Sequence, residues 1–502
     1  MFFLAILPIL VVVSCMLFLK WGSEKAVPLG LAVGLLIAWL KFGLTGEVIS
    51  VAAGKSVFIA LNVLLILWAA VMLFKLVDLH GGIQAVADVL ESMTLDKGWL
   101  TVVLAWCLTG VVEGLAGFGL PMAIVGAFLL GLGVPPIHAV AAAAIGNGWS
   151  VCYGSMASVF EILNSVTHIE PMVFAPYTAY FLALGNLLTG FALAAVLGQL
   201  RHWRRMLVLW VIMASVLIGL SVIGVYMLAG FIASLAGIAA GILISRNPDS
   251  VPLSAEKRYS LNVGLRAYGF LTVLSMILSI VQPLRRYLLP FVVKTEFPAV
   301  ETATGFVTPA GPSYAFKVFL HPAFFLITTI LVMFALFDQG KFRRSALFST
   351  AFRQTWDSGK YATIGIIAMV LLSTIMEHTG MSSVMANGLA DFAGGAYPLV
   401  APFIGMLGTF ATGSNSNSNV LFGALQQKIT LSLNLNEGII MGAQNAGGSL
   451  GSMIAPAKLV LGCSTTGLEK KDGLVLRKTL PYGLGTTFIV GLFVWLLSTI
   501  SK

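Results

Sequence analysis

Gly408-Thr-Phe-Ala-Thr-Gly-Ser-Asn-Ser-Asn-Ser-Asn-Val-Leu-Phe-Gly-Ala-Leu-Gln426 places an unbroken polar and glycine segment, Thr412 to Asn419, inside a stretch that is otherwise apolar. Water normally solvates such a segment. In a hydrocarbon setting it survives only where protein buries it or where it lines a wet cavity. The rest of the chain supplies that setting. Its 502 residues are 58% hydrophobic and 10% charged, against about 45–50% and 25% in soluble domains. That excludes an ordinary cytosolic enzyme, a disordered chain and a disulfide scaffold. A membrane-spanning helix needs about 20 apolar residues, so the chain has room for about 12–14 spans and no separate soluble domain.

Ordinary apolar spans read at about 2–20, 26–42, 57–77, 172–199, 206–227, 228–245, 267–282, 315–337, 361–377 and 480–500. The run at 2–20 lacks the basic flank of a signal peptide and reads as the first span. Two regions are broken. One, 99–160, is interrupted at Glu113-Gly-Leu-Ala-Gly-Phe-Gly-Leu-Pro121 and at Gly146-Asn-Gly-Trp149; the other, 398–460, at the Thr412–Asn419 segment and at Gln444-Asn-Ala-Gly-Gly-Ser449. Gly126-Ala127 matches Gly423-Ala424 and Gly154-Ser155-Met156 matches Gly451-Ser452-Met453, both 297 residues apart, while Asp78 and Gly81 stand 299 residues before Glu377 and Gly380. A common offset in three places predicts a duplicated unit.

Basic residues gather in the loops 201–205, 246–266, 341–360 and 470–478. By the positive-inside rule these loops face the cytoplasm, and the net charge of +9 needs no nucleic-acid partner. Span 172–199 then runs inward while its counterpart 480–500 runs outward, so the copies are inverted. The expected architecture is an all-α polytopic membrane protein of two inverted repeats, with about 12 crossings, two re-entrant hairpins and discontinuous helices at the midplane. Its divisions are N-terminal spans 1–56, a first repeat 57–200 with hairpin 99–133 and broken helix 137–160, linking spans 201–340, and a second repeat 341–502 with hairpin 398–430 and broken helix 438–460.

These breaks carry the residues suited to a small anion. Gly413, Ser414, Asn415, Ser418 and Asn419 precede an apolar helix, and unpaired N–H groups at a helix start favour a carboxylate. Gly114, Gly117 and Gly119 form the other tip. Asn147, Asn445, Gly447 and Gly448 lie in the breaks of the crossings, where the amides either bind substrate oxygens or cap freed backbone. Glu113 is the only charged residue between Lys97 and Glu161. A carboxyl at membrane depth is costly unless it takes up a proton, so Glu113 is the candidate proton carrier, against a packing role at the tip. Lys458 is a candidate countercharge for the anion, set against snorkelling to the cytoplasmic interface. Asp78, Glu377 and His378 read as interfacial residues at span ends.

Other chemistry finds no support. Gly447-Gly-Ser-Leu-Gly451 lacks the strand–turn–helix setting of a nucleophile elbow, and Gly54-Lys55-Ser56 has Ile49 where a P-loop needs its first glycine. Cys15, Cys107, Cys152 and Cys463 are too scattered for a metal site or a disulfide frame. No cofactor, metal or ATP use is expected, and a homo-oligomer is compatible with the reading.

The three broken segments resemble those of the bacterial L-lactate permease family, proton-linked carriers of lactate and glycolate. Glu113–Ile124 is similar to E-G-x-A-G-F-G-x-P-x-A-I, Gly408–Gln426 to G-x-F-x-T-G-S-[DN]-x-x-S-N-x-L-F-x-A-L-Q, and Asn445–Pro456 to N-T-x-G-G-x-x-G-K-M-I-S-P. Ser452 stands in place of the usual Lys and Ala455 in place of the usual Ser. The resemblance implies an inner-membrane symporter for lactate or glycolate with a proton. The family is grouped with ion-coupled carriers that have paired hairpins and an elevator-like transport domain. Similar Ser/Asn tips bind sodium in dicarboxylate carriers of that group, so a sodium-coupled organic-anion carrier is one alternative. The membrane subunit of an ion-pumping decarboxylase is the other.

Overall fold

A computed structural model describes residues 1–19, 21, 23–82, 85, 96–115, 119–245, 254–313, 315–334, 346–468 and 471–501. The chain is almost wholly helical. Its first helices are α1 (Phe2–Phe18), α2 (Ser23–Lys41) and α3 (Gly46–Leu79). Next come α4 (Lys97–Val103), which passes through a π-helical turn Leu104–Leu108 into α5 (Thr109–Leu115), and then α6 (Leu120–Gly131). After them run α7 (Pro136–Asn147), α8 (Gly154–Thr167), α9 (Pro171–Leu197), α10 (Trp203–Val222), α11 (Tyr226–Ile244), α12 (Ala255–Ile280) and α13 (Gln282–Leu288). The last third contains α14 (Pro322–Val332), α15 (Ala346–His378), α16 (Met381–Ala393), α17 (Tyr397–Thr412), α18 (Asn415–Ser432), α19 (Glu437–Gly451), α20 (Pro456–Thr465) and α21 (Asp472–Ile500). Among the described residues, seven helical stretches are long and apolar enough to cross a membrane.

One element departs from the all-α expectation. Between α13 and α14 the chain folds into a narrow antiparallel ribbon. It pairs β1 (Val292–Val293) with β6 (Phe316–Lys317), β2 (Glu296–Phe297) with β5 (Gly311–Pro312), and β3 (Val300–Glu301) with β4 (Val307–Thr308). The strand pairs are two residues long and separated by unpaired residues, so no alternating pattern is long enough to read. The ribbon also corrects the run 315–337. Its first residues are strand β6, and Lys317 lies outside the helix, bonded to Glu170 at 3.0 Å. The Thr304 hydroxyl, at the ribbon's tip, donates to the Phe42 carbonyl at the α2–α3 turn.

The two broken regions are rooted at opposite ends of α9, whose 27 residues extend roughly 40 Å. The start of α4, the α6–α7 turn 132–135, Gln199 beyond the end of α9 and Lys478 on α21 line one cavity. Asp96 caps α4 there, accepting from the Trp99 N–H at 3.1 Å. Burial works to raise its pKa, but the Trp99 N–H, His202, Arg201 and Arg205 outweigh it and hold the carboxyl below its ordinary range. At the far end, the Gln427 amide near the base of α18 bridges the Thr167 carbonyl at 3.0 Å and Glu437 at 3.2 Å, beside the start of α9. From these opposite roots both regions reach the start of α20. Gly119 lies against Lys458, and Gly413 against Ala457. Both glycines take positive φ, +80° and +72°, a conformation open to glycine at little cost.

Candidate functional site

The helix pairs α7/α8 and α19/α20 are interrupted where they meet. After α7 the chain makes a turn and a 3₁₀ segment, Val151–Tyr153, before α8; after α19 a 3₁₀ segment, Ser452–Ile454, precedes α20. The breaks are stitched directly. The Ser449 hydroxyl accepts from the Cys152 N–H at 3.2 Å and donates to the Gly148 carbonyl at 2.8 Å. The Cys152 thiol donates to the Asn445 carbonyl at 2.8 Å.

Beside this seam lies a cavity of about 380 Å³, lined by Glu113, Gly154, Ser158, Ser414, Asn415 and Lys458, with Gly413, Ser416, Val151 and Val159 completing the wall. Among the described residues, three helices begin at it and the start of a fourth lies behind Lys458. Gly154 opens α8, Asn415 opens α18 behind its cap Ser414, and Lys458 stands in the first turn of α20. Gly119, the N-cap of α6, packs on the stem of Lys458. Each helix start contributes unpaired N–H groups and about half a positive charge. The arrangement is therefore electropositive even before side chains are counted.

Lys458 does not snorkel. It is 6% exposed and faces the cavity, in electrostatic attraction with Glu113. Glu113, 2% exposed, accepts from the Asn147 amide at 3.1 Å. Its other carboxyl oxygen lies over Gly154, where a Cβ would come within 2.6 Å of it. The bare backbone of Gly154 thus leaves the space that this carboxylate oxygen occupies.

The remaining sequence candidates divide. Asn415 lines the cavity, and its amide donates to the Asn445 carbonyl and the Cys152 sulfur, both at 3.3 Å. Ser418, Asn419 and Asn445 form a polar layer behind it. The Asn419 amide donates to Asn445 Oδ1 at 2.9 Å and to the Val159 carbonyl at 3.1 Å, and the Ser418 hydroxyl donates to the Gly405 carbonyl at 2.8 Å. Gly447 and Gly448 face the neighbouring hairpin instead of the cavity. Side chains there would strike the Pro402 carbonyl and the Asn415 amide, so these glycines set the close approach of α19 to the α17–α18 hairpin. Gly114 packs on Phe231, and Gly117 lies outside the described residues.

Sequence reasoning missed the partners of this layer. The Gln444 amide donates to Asn419 Oδ1 at 3.1 Å and to the Ser418 hydroxyl at 3.2 Å. Gln426 donates to Gln444 Oε1 at 2.6 Å and accepts from the Tyr397 hydroxyl at 2.6 Å. A glutamine in the middle of an apolar helix was the available signal. Removing one member leaves its buried partners unpaired, at about 1–3 kcal/mol. Asn419→Ala is therefore expected to lower the thermal midpoint in detergent and to raise KM. Asn415→Ala, at the cavity surface, is expected to raise KM with a smaller loss of stability. Equal melting of both variants and the parent would remove the layer's structural role.

The sequence model for L-lactate permease matches residues 1–501 of this chain. The chain belongs to the L-lactate permease family. It is a permease and not an enzyme, a multi-pass protein of the bacterial inner membrane. This permease is 26% identical over 530 residues to the glycolate permease GlcA of Escherichia coli K12, covering 97% of this chain and 94% of that protein. It is 26% identical over 537 residues to the L-lactate permease of the same organism, with the same coverage. It is 24% identical over 524 residues to the L-lactate permease of Bacillus subtilis 168, covering 93% and 90%. In fold it is similar to the YdaH transporter of Alcanivorax borkumensis, with a TM-score of 0.55 at 16% identity, over 90% of this chain and 88% of that one.

Proposed function

We propose that this permease carries 2-hydroxymonocarboxylates, L-lactate first and glycolate second, together with a proton. The carrying observation is the cavity in which helix starts converge on one lysine and one carboxyl group. Its charge arithmetic suits a monocarboxylate with a proton. When Glu113 is ionised, Lys458 pairs with it. When Glu113 is protonated, the lysine is released to pair with a substrate carboxylate. Proton and anion therefore load together, and the loaded and empty sites carry the same charge. Asn415 Oδ1, on the cavity wall and buried without a partner among the described residues, is suited to the 2-hydroxyl. A cation such as sodium would have to share the cavity with Lys458, which favours the proton over sodium as the coupling ion.

In the membrane, the hairpins α4–α6 and α17–α18 are taken as re-entrant from the cytoplasmic and outer faces, within two inverted repeats and about 12 crossings. Their roots at opposite ends of α9 support this reading. Single cysteines at Ala116 and Ser416 are expected to react with small impermeant thiol reagents from opposite faces. Labelling of both from one face would defeat the topology.

The function is tested with the purified chain in proteoliposomes. L-lactate and glycolate are expected to drive counterflow of labelled lactate, and an inward proton gradient is expected to drive accumulation with choline in place of sodium. Transport that needs sodium, or a soluble partner subunit, would replace this reading with one of its alternatives.

A further inference from the structure

A second and larger cavity, of about 1010 Å³, lies where the ribbon segment 308–313 folds over the C-terminal end of α15. Its polar wall comprises Lys55, His168, Ser373, Thr374, Glu377 and His378. The span-end reading placed His378 in interfacial water, but it is 3% exposed.

The hydrogen bonding of His378 defines what it offers. Nδ1 lies 2.9 Å from the Thr374 carbonyl oxygen, which can only accept, so Nδ1 carries a proton. Nε2 is buried without a partner among the described residues. In the neutral ring Nε2 is a bare acceptor. In the protonated ring it becomes a charged donor, suited to a carboxylate. Glu377 on the same helix, Lys55 from α3 and Lys428 from α18 act on it electrostatically, and His168 closes the end of α8 on the same wall. The Lys428 ammonium also donates to the Ser383 hydroxyl at 3.2 Å. With His378 neutral, the two lysines and Glu377 leave one net positive charge; a monocarboxylate and a proton on His378 arriving together leave that charge unchanged.

The cavity is joined to the central site by shared walls. α8 contributes Gly154 and Ser158 to the central cavity and Ser165 to this one, roughly 16 Å along the helix from Gly154 to Ser165. Val420 of α18 lines this cavity while its neighbour Asn419 belongs to the polar layer of the other, and the Ser373 hydroxyl donates to the Val420 carbonyl at 2.7 Å.

We infer that this cavity is a second monocarboxylate site, on the outer approach to the central one, in which protonated His378 donates Nε2–H to the carboxylate and Lys55 supplies the neighbouring charge. A carboxylate and an imidazolium stabilise each other, so anion and proton are captured together before the central site is reached. The inference rests on the monocarboxylate reading above, and its test separates the two.

Ala310 is exposed on the cavity roof, and the four native cysteines are buried, so the parent chain serves as the labelling blank. In Ala310→Cys, external L-lactate is expected to slow reaction with an anionic, impermeant methanethiosulfonate, which the same positive wall attracts. Protection is expected to strengthen from pH 8 to pH 6. His378→Gln should remove that pH dependence and raise the half-protecting concentration about tenfold, the scale of one charge-assisted hydrogen bond. Lys55→Gln should raise it with the pH dependence retained, and it stands in if His378→Gln fails to fold. Asn415→Ala, altered only in the central cavity, should keep full protection. The second site is overturned if lactate gives no protection, if His378→Gln and Lys55→Gln both protect like the parent, or if Asn415→Ala abolishes protection. Protection by lactate without lactate uptake would uphold the second site and overturn the transport reading.

Discussion

Replacing Glu113 by glutamine is expected to abolish uphill accumulation of lactate while leaving exchange across the membrane in place. Glutamine keeps the size and hydrogen-bonding capacity of a protonated carboxyl but cannot release a proton. On the proposed reading, ionised Glu113 attracts Lys458 in the empty site and the substrate carboxylate takes its place in the loaded one. In the Glu113→Gln variant, Lys458 is always free for the anion, so anion exchange continues and no proton travels with it. A one-to-one symporter in a gradient of one pH unit can accumulate its substrate about tenfold, the equivalent of about 1.4 kcal/mol. The variant is expected to reach a ratio near one, with labelled lactate counterflow retained in proteoliposomes. Accumulation that persists with the parent's pH dependence would assign Glu113 a structural role and place the proton on another group.

The second large effect is expected at Lys458. Lys458→Met keeps most of the apolar stem and removes the charge. Glu113, buried and bonded to Asn147, then has no cation beside it in the cavity. Breaking a buried charge pair by removing one partner costs about 3–5 kcal/mol, mostly from the charge left behind. The variant should melt well below the parent in detergent and lose lactate counterflow. Adding Glu113→Gln removes the stranded charge, so the double variant should recover thermal stability without recovering transport. A single variant that melts like the parent, or a double variant that transports, would separate Lys458 from the site.

Much of this arrangement was legible because polar residues are expensive in an apolar setting. The run from Thr412 to Asn419 and the solitary Glu113 stand out against their surroundings, and both lie at or beside the central cavity. Lys458 was harder. It follows Ser452 by almost two helical turns, which on one continuous helix would carry it toward an interface. The 3₁₀ turn Ser452–Ile454 and the fresh helix start at Pro456 redirect it into the break, and a one-dimensional pattern does not contain that change of direction. Gly447 and Gly448 misled for the opposite reason. A glycine pair in a break suits ligand approach and helix approach equally, and only the positions of the Pro402 carbonyl and the Asn415 amide decide between them. His378 looked interfacial because it ends a span; the ribbon that covers it has strand pairs too short to announce themselves.

The central cavity draws Glu113 and Gly154 from early in the chain and Asn415 and Lys458 from near its end, and this separation sets an order of events during biosynthesis. Roughly 350 residues separate the acid from its countercharge, so at about 5–20 residues per second the ribosome needs tens of seconds to supply the lysine. Throughout that interval Glu113 lacks the lysine that faces it in the folded cavity. An ionised carboxyl is costly at membrane depth, so before α20 is made the neutral acid is the cheaper form of this segment. A chain truncated before Pro456 would never receive Lys458, and it would present the quality-control proteases with a membrane segment bearing a permanently stranded acid.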